Sequence, residues 1–214
     1  MTARALFRVS LLAFSALLAA CVGSLLESKQ PVDTIYVLAP PPPATSGEAL
    51  PIDLAIAPPR LAPGLGTARI AVLKGRELNY YSGARWGSDL SQLTQHFLVR
   101  TLEGQGAFRS VAPTDMRIAG EYVLDVEVTH FQAEYTGTAA AAAHVAYTGK
   151  LLRVADRSLV DTIATDITIP AATNRLSAVI AAFEQAAQRA SAELGEKVAA
   201  SARADLATRT ATAP

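Results

Sequence analysis

The clearest pattern of apolar and polar positions runs from Glu121 to Tyr135. Tyr122, Leu124, Val126 and Val128 alternate with Val123, Asp125, Glu127 and Thr129, the period of a strand with one buried face. The apolar phase then moves by one, to Phe131, Ala133 and Tyr135. A one-residue slip would turn the core face outward, so the shift predicts a bulge near His130. Shorter β-branched and aromatic runs predict strands at 34–39, 52–57, 69–73 and 108–111. Residues 138–154 and 158–169 read as a hairpin turning at Ala155-Asp156-Arg157. The alanine run 139–143 within it favours helix by propensity and strand by context. Pro40–Pro43, Pro58-Pro59, Pro63 and Pro113 punctuate the strands, because proline cannot donate to a ladder. Residues 74–87 read as a loop.

Two segments carry helical periodicity. Ser88 or Asp89 caps a helix to about Leu102, with Leu90, Leu93, Phe97 and Val99 or Leu102 on one face and Gly104 and Gly106 at its end. Thr173 or Asn174 caps a second, from Arg175 to about Ala202. Leu176, Ile180, Phe183, Ala187, Ala190, Leu194 and Val198 form its stripe, and Glu193 and Lys197 make a stabilising i,i+4 pair. The order β-β-β-α-β-β-β-β-α predicts an α+β fold with an α/β-like layer: a mixed, largely antiparallel sheet with both helices on one face. The stripe of the long helix is read as core packing, with partner binding as the alternative.

The N-terminus follows another pattern. Arg4 and Arg8 precede an apolar run from Leu11 to Leu18, and Leu18-Ala19-Ala20 leads to Cys21, the only cysteine of 214 residues. The run is too short to span a bilayer and has the layout of a secretory signal. Leu-Ala-Ala-Cys resembles a lipobox, in which the cysteine is acylated and becomes the first residue after cleavage. The expected organisation is a lipoprotein signal peptide at 1–20, a lipidated tether at 21–33, one domain at 34–202 and a flexible tail at 203–214. Val22 follows the cysteine. An Asp there marks inner-membrane retention in enteric bacteria, so Val22 points to the outer membrane. With one cysteine no intramolecular disulfide forms, and the core must hold the fold.

Composition adds exclusions. The 19 basic and 19 acidic residues balance, and no basic run or basic–aromatic interleaving suggests nucleic acid. His96, His130 and His144 have no partner at metal-ligand spacing, so they read as structural or solvated, and no metal or cofactor is implied. Ser82 and Ser88 lack a nucleophile-elbow context, and no phosphate-loop pattern occurs. Asp125 and Glu127 share one strand face, read as a solvated sheet surface rather than a catalytic pair. No catalytic residue is expected. One segment stands out: Tyr80, Tyr81, Arg85 and Trp86 fall within seven residues and include the only Trp. Such residues concentrate energy at interfaces, which makes them candidates for binding a partner. The alternative is that Trp86 and one Tyr anchor the segment to the core.

A family resemblance then emerges. The early strand Ile35-Tyr36-Val37-Leu38, the segment Tyr81, Arg85, Trp86 and Leu90 leading into a helix, and the strand Leu124, Val126, Val128 and Phe131 stand in this order between the lipobox and a long C-terminal helix. Together they resemble the PqiC-like auxiliary lipoproteins of MCE-type ABC transporters, over about residues 34–202. The segment Pro58-Pro59-Arg60-Leu61-Ala62-Pro63-Gly64 departs from the family's pattern, having no Asp. The resemblance implies a non-enzymatic subunit, lipid-anchored and facing the periplasm. It implies work with an MCE-domain protein, a permease and an ATPase that move lipids or other hydrophobic molecules, and docking of the MCE protein at the outer membrane. A periplasmic carrier holding lipid in its own cavity and a structural envelope lipoprotein are the alternatives, and a homo-oligomer is open.

Overall fold

A computed structural model describes residues 32–43, 48–116, 120–137 and 140–212. The expected signal segment, Cys21 and most of the expected tether lie outside the described residues. Five strands, β1 (Thr34–Tyr36), β2 (Leu50–Ile56), β3 (Arg60–Leu61), β4 (Arg69–Lys74) and β5 (Glu77–Trp86), precede helix α1 (Leu90–Gln105). Then come β6 (Phe108–Pro113), β7 (Tyr122–Tyr135), β8 (Ala142–Arg153), β9 (Leu159–Pro170) and helix α2 (Leu176–Thr212). The α+β class and the mixed sheet agree with the sequence reading.

The sheet is organised along β7. One side of β7 pairs with β8, and β8 with β9, in the two longest ladders, both antiparallel. Along its other side lie three short parallel strands in succession: β2 against Tyr122–Leu124, β3 against Glu127–Val128, and β4 against Gln132–Tyr135. Pro58-Pro59 and Pro63 separate these three, which is why one long edge is delivered in pieces. Beyond them β6 flanks β2, while β5 flanks β4 and β1 flanks β5.

The bulge is present. Val128 pairs with Tyr147 and His130 with Ala146, so Thr129 is the extra residue, and its hydroxyl donates to the Ala146 carbonyl (3.2 Å). The insertion keeps Tyr122, Leu124, Val126, Val128, Phe131 and Ala133 on one buried face. Both helices pack on that face. Every residue of the anticipated α2 stripe is buried, Leu176 only in part. Gly149 of β8 lets α2 approach, since a Cβ there would stand 3.1 Å from both Leu124 and Leu194. Between α1 and α2, Gln105 donates to the Ala192 carbonyl (2.8 Å) and lies against Gly195. At the start of α1 the Asp89 carboxylate accepts the Gln92 N–H (3.0 Å), and Gly106 ends it in the left-handed region at φ 62°.

Four boundaries differ from expectation. Residues 77–86 are a strand, not a loop. β4 and β5 form a hairpin about Gly75 (φ +61°), hidden in the sequence because a wide bulge between the pairs Arg69–Arg85 and Ala71–Tyr80 breaks the alternation. The two-residue β3 sits among prolines and is too short for periodicity to reveal. Helix α2 begins at Leu176, after Arg175 rather than Asn174: the Arg175 carbonyl accepts the Ala178 and Val179 N–H, while the Asn174 side-chain oxygen accepts from the Tyr135 hydroxyl (2.8 Å). Finally, α2 does not stop near Ala202. Asp205 accepts hydrogen bonds from the buried Tyr122 hydroxyl (2.6 Å) and from Arg153, so the last turns are tied to β7 and β8.

Candidate docking surface

The four residues singled out on β5 have different fates. Trp86 is 1% exposed and belongs to the core. Its ring meets Phe131 and Phe183 edge-on (centroids 5.9 and 5.3 Å), and those two stack on each other at 5.4 Å. Each such pair adds about 1 kcal/mol beyond area burial. Tyr81 is half-buried and donates to the Tyr135 hydroxyl (3.1 Å), which donates onward to Asn174. Burial, and then this donated bond, push the Tyr81 phenol above its ordinary pKa. The Tyr80 hydroxyl donates to the Gly64 carbonyl (2.7 Å), holding the β3–β4 loop down. Arg85 is partly exposed, and its guanidinium meets no carboxylate among the described residues.

Strand alternation explains the split. Ile70, Val72, Ala84 and Trp86 point into the core, so their neighbours Arg69 and Arg85 lie on the opposite, open face of the sheet. In register, Ile35 lies beside Arg85 and Arg85 beside Arg69. The Arg69 guanidinium covers the Tyr80 ring at 4.1 Å. Ile35 and Val37 flank Gly87 on the same side. They are 54% and 74% exposed, the large apolar residues of this corner that stand in solvent. Of these, Arg85 stands out in the sequence through its aromatic neighbours, while Arg69, Ile35 and Val37 do not. Alternation within strands 34–36 and 69–74 is the signal that groups them.

The far end of the open face is polar. His144 faces two carboxylates, Glu134 through Nδ1 (2.7 Å) and Asp166 through Nε2 (2.9 Å), and its ring stacks on His130 at 4.2 Å. Ionised carboxylates only accept, so both contacts are satisfied together when both ring nitrogens carry a proton. Gln132 also donates to Glu134 (2.9 Å). Burial pushes the Glu134 carboxyl up, but these hydrogen bonds and the neighbouring imidazoles outweigh it and hold its pKa below the usual value. Asp125 is paired with Arg60 (3.0 Å), which fits the solvated-face reading. At the opposite edge, Arg109 and Ser110 hydrogen-bond Asp53 and lower its pKa to about 2. Among the described residues no group of three or more His, Cys, Asp or Glu is arranged to hold a metal, and no helix is long and apolar enough to cross a membrane.

Residues 36–195 match the model of the family described as the ABC-type transport auxiliary lipoprotein component. No curated protein matches the sequence. A crystal structure of a Xanthomonas campestris protein aligns at 28% identity and TM-score 0.73, covering 80% of this chain and 98% of that one. A crystal structure of an uncharacterised protein aligns at 15% identity and TM-score 0.62, covering 78% and 99%, and shares the fold.

Proposed function

We propose that this chain, which belongs to the family of ABC-type transport auxiliary lipoprotein components, is the non-catalytic docking subunit of an MCE-type lipid transporter. In this reading Cys21 carries the lipid. Each buried methylene contributes about 0.8 kcal/mol, so several acyl chains hold the domain at the membrane, facing the periplasm and on the outer-membrane side. The MCE-domain protein, with its permease and ATPase, is the partner. Anchoring raises the local concentration of the two proteins, so a modest surface suffices. Arg85 offers the contact charge, Tyr80 and Tyr81 shape the surface around it, and buried Trp86 fixes β5 from beneath.

The observation that carries docking over carriage is the filled interior. A carrier needs a cavity between sheet and helices. That space is occupied by Trp86, Phe131, Phe183, Leu98, Leu102 and Leu194, all essentially inaccessible to solvent. The test is chemical crosslinking of the lipidated protein in intact cells, followed by mass spectrometry. Recovery of an MCE-domain protein with its permease and ATPase is the expected result. Co-purified lipid without any transporter component, at good crosslinking yield, would replace docking with carriage.

A further inference from the structure

We infer that the free edge of β1 takes an extended acidic segment of the partner as an added strand; this deepens the docking reading and rests on it. Among the described residues β1 pairs with β5 on one side only. The Tyr36 carbonyl faces β5, accepting the Gly87 N–H (3.0 Å). Backbone groups alternate along a strand, so those of Ile35 and Val37 are directed to the free edge. These are the same two residues whose side chains stand exposed.

The two sides of the edge differ in chemistry, which defines the occupant. On the open face Arg85 lies beside Ile35 and Arg69 beside Arg85, neither with a carboxylate among the described residues. An added strand would run about 10 Å from Arg85, two strand spacings away, within the joint reach of an Arg and a Glu side chain. On the helix side a cleft of about 320 Å³ opens beside Val37, with Leu38, Gly87, Leu93, His96 and Phe97 in its walls. Side chains of an added strand alternate between these faces. The segment that fits carries an Asp or Glu toward the arginines and an aliphatic residue, one position away, toward Leu93 and Phe97.

The edge is also held ready. Just past it, the Ala39 N–H donates to Glu184 (2.8 Å) and the Ala39 carbonyl accepts from Gln188 (2.9 Å), so one residue is gripped on both sides of its Cα by two residues a helical turn apart on α2. Pre-ordering of this kind lowers the entropy lost on association. The long outer edge of β9 is different, since Asp161, Asp166 and Pro170 stand exposed along it. Charge, proline and shortness blunt an edge against strand addition; β1 is short, but Thr34–Tyr36 carries neither charge nor proline.

The test uses the full-length protein in cells that contain its transporter. A photo-crosslinking residue is placed at Val37, or at exposed Thr168 on the open face of β9 as a control. The expected result is coupling from Val37 to the MCE-domain partner at least tenfold above Thr168, attached within a stretch containing Asp or Glu. Val37→Pro removes the outward N–H and should reduce whole-protein crosslinking to the partner at least tenfold. Val37→Thr should not, with melting temperatures unchanged in both. Arg85→Glu, which leaves the backbone alone, should give a similar loss. Coupling from Thr168 alone, or full coupling after Val37→Pro, would overturn the edge assignment while docking stands. Attachment of Val37 to lipid only, with the partner still captured elsewhere, would also overturn it and give the edge to the membrane. Failure to capture any transporter component, with Cys21 acylated, would remove the docking reading itself.

Discussion

Trp86 and Arg85 are neighbours in sequence and opposites in consequence. Trp86→Ala removes a ring packed on Phe131 and Phe183 and should cost about 3–5 kcal/mol of stability, read as a lowered denaturation midpoint. Arg85→Ala should change stability by less than about 0.5 kcal/mol, because no carboxylate partner among the described residues is lost, and should weaken partner capture instead. Equal stability losses for the two would contradict their assigned faces. The sequence offered both as one aromatic-basic segment, with core anchoring as the alternative for Trp86. Only the pairing of β5 with β1 and β4 sorts them, because parity in a strand has no meaning until its register is set. A second residue-level expectation concerns acid. The carboxyl of Asp53 goes from 3.8 to about 2 on folding, chiefly through the hydrogen bonds from Arg109 and Ser110. A depressed folded value means its contribution is complete above about pH 4 and is lost as pH falls toward 2. Asp53→Asn should therefore flatten the pH dependence of stability within that window. An unchanged slope would mean that Asp53 is not held this way in solution.

At the scale of elements, the legible parts were those with unbroken periodicity. The alternation of β7, its phase change and the α2 stripe were readable because each buries one continuous face. The β4–β5 hairpin, β3 and the end of α2 were not, since a bulge, three flanking prolines and a side-chain network set them rather than a pattern. That network gives a prediction. Removing residues after Ala202 deletes Asp205 and leaves the buried Tyr122 hydroxyl and Arg153 without their acceptor. The cost should be about 1–3 kcal/mol, seen as a drop in melting temperature; an unchanged melting temperature would show that the last turns are dispensable. The contact between helices is equally specific. A Cβ at Gly195 would stand 2.0 Å from the Gln105 amide oxygen, so Gly195→Ala should destabilise. Pairing it with Gln105→Ala, which removes the obstructing amide, should recover part of the loss. A double variant no more stable than expected from the two single changes would place the strain elsewhere.

At the largest scale, one layer of helices closes one face of the sheet, and among the described residues nothing covers the other. The interior needs no ligand to fill it, and the surface separates an apolar-cationic corner at β1 from an imidazole–carboxylate cluster at β8 and β9. Cys21→Ser should release the protein from membranes on fractionation without altering its melting temperature. Persistence in the membrane fraction after washing would point to another means of attachment.

The grip on Ala39 has a mechanical corollary. A pull on the chain from its N-terminal side reaches the short β1–β5 ladder first and then a residue latched through both its N–H and its C=O to a long helix. Three residues of strand can peel away before the latch carries load, and the aromatic core is strained only once Glu184 and Gln188 let go. The beginning of the domain is thus built as a fuse in series with the chain that precedes it. Pulled from that end, it should yield in a small early step of a few residues, well before the sheet itself gives way.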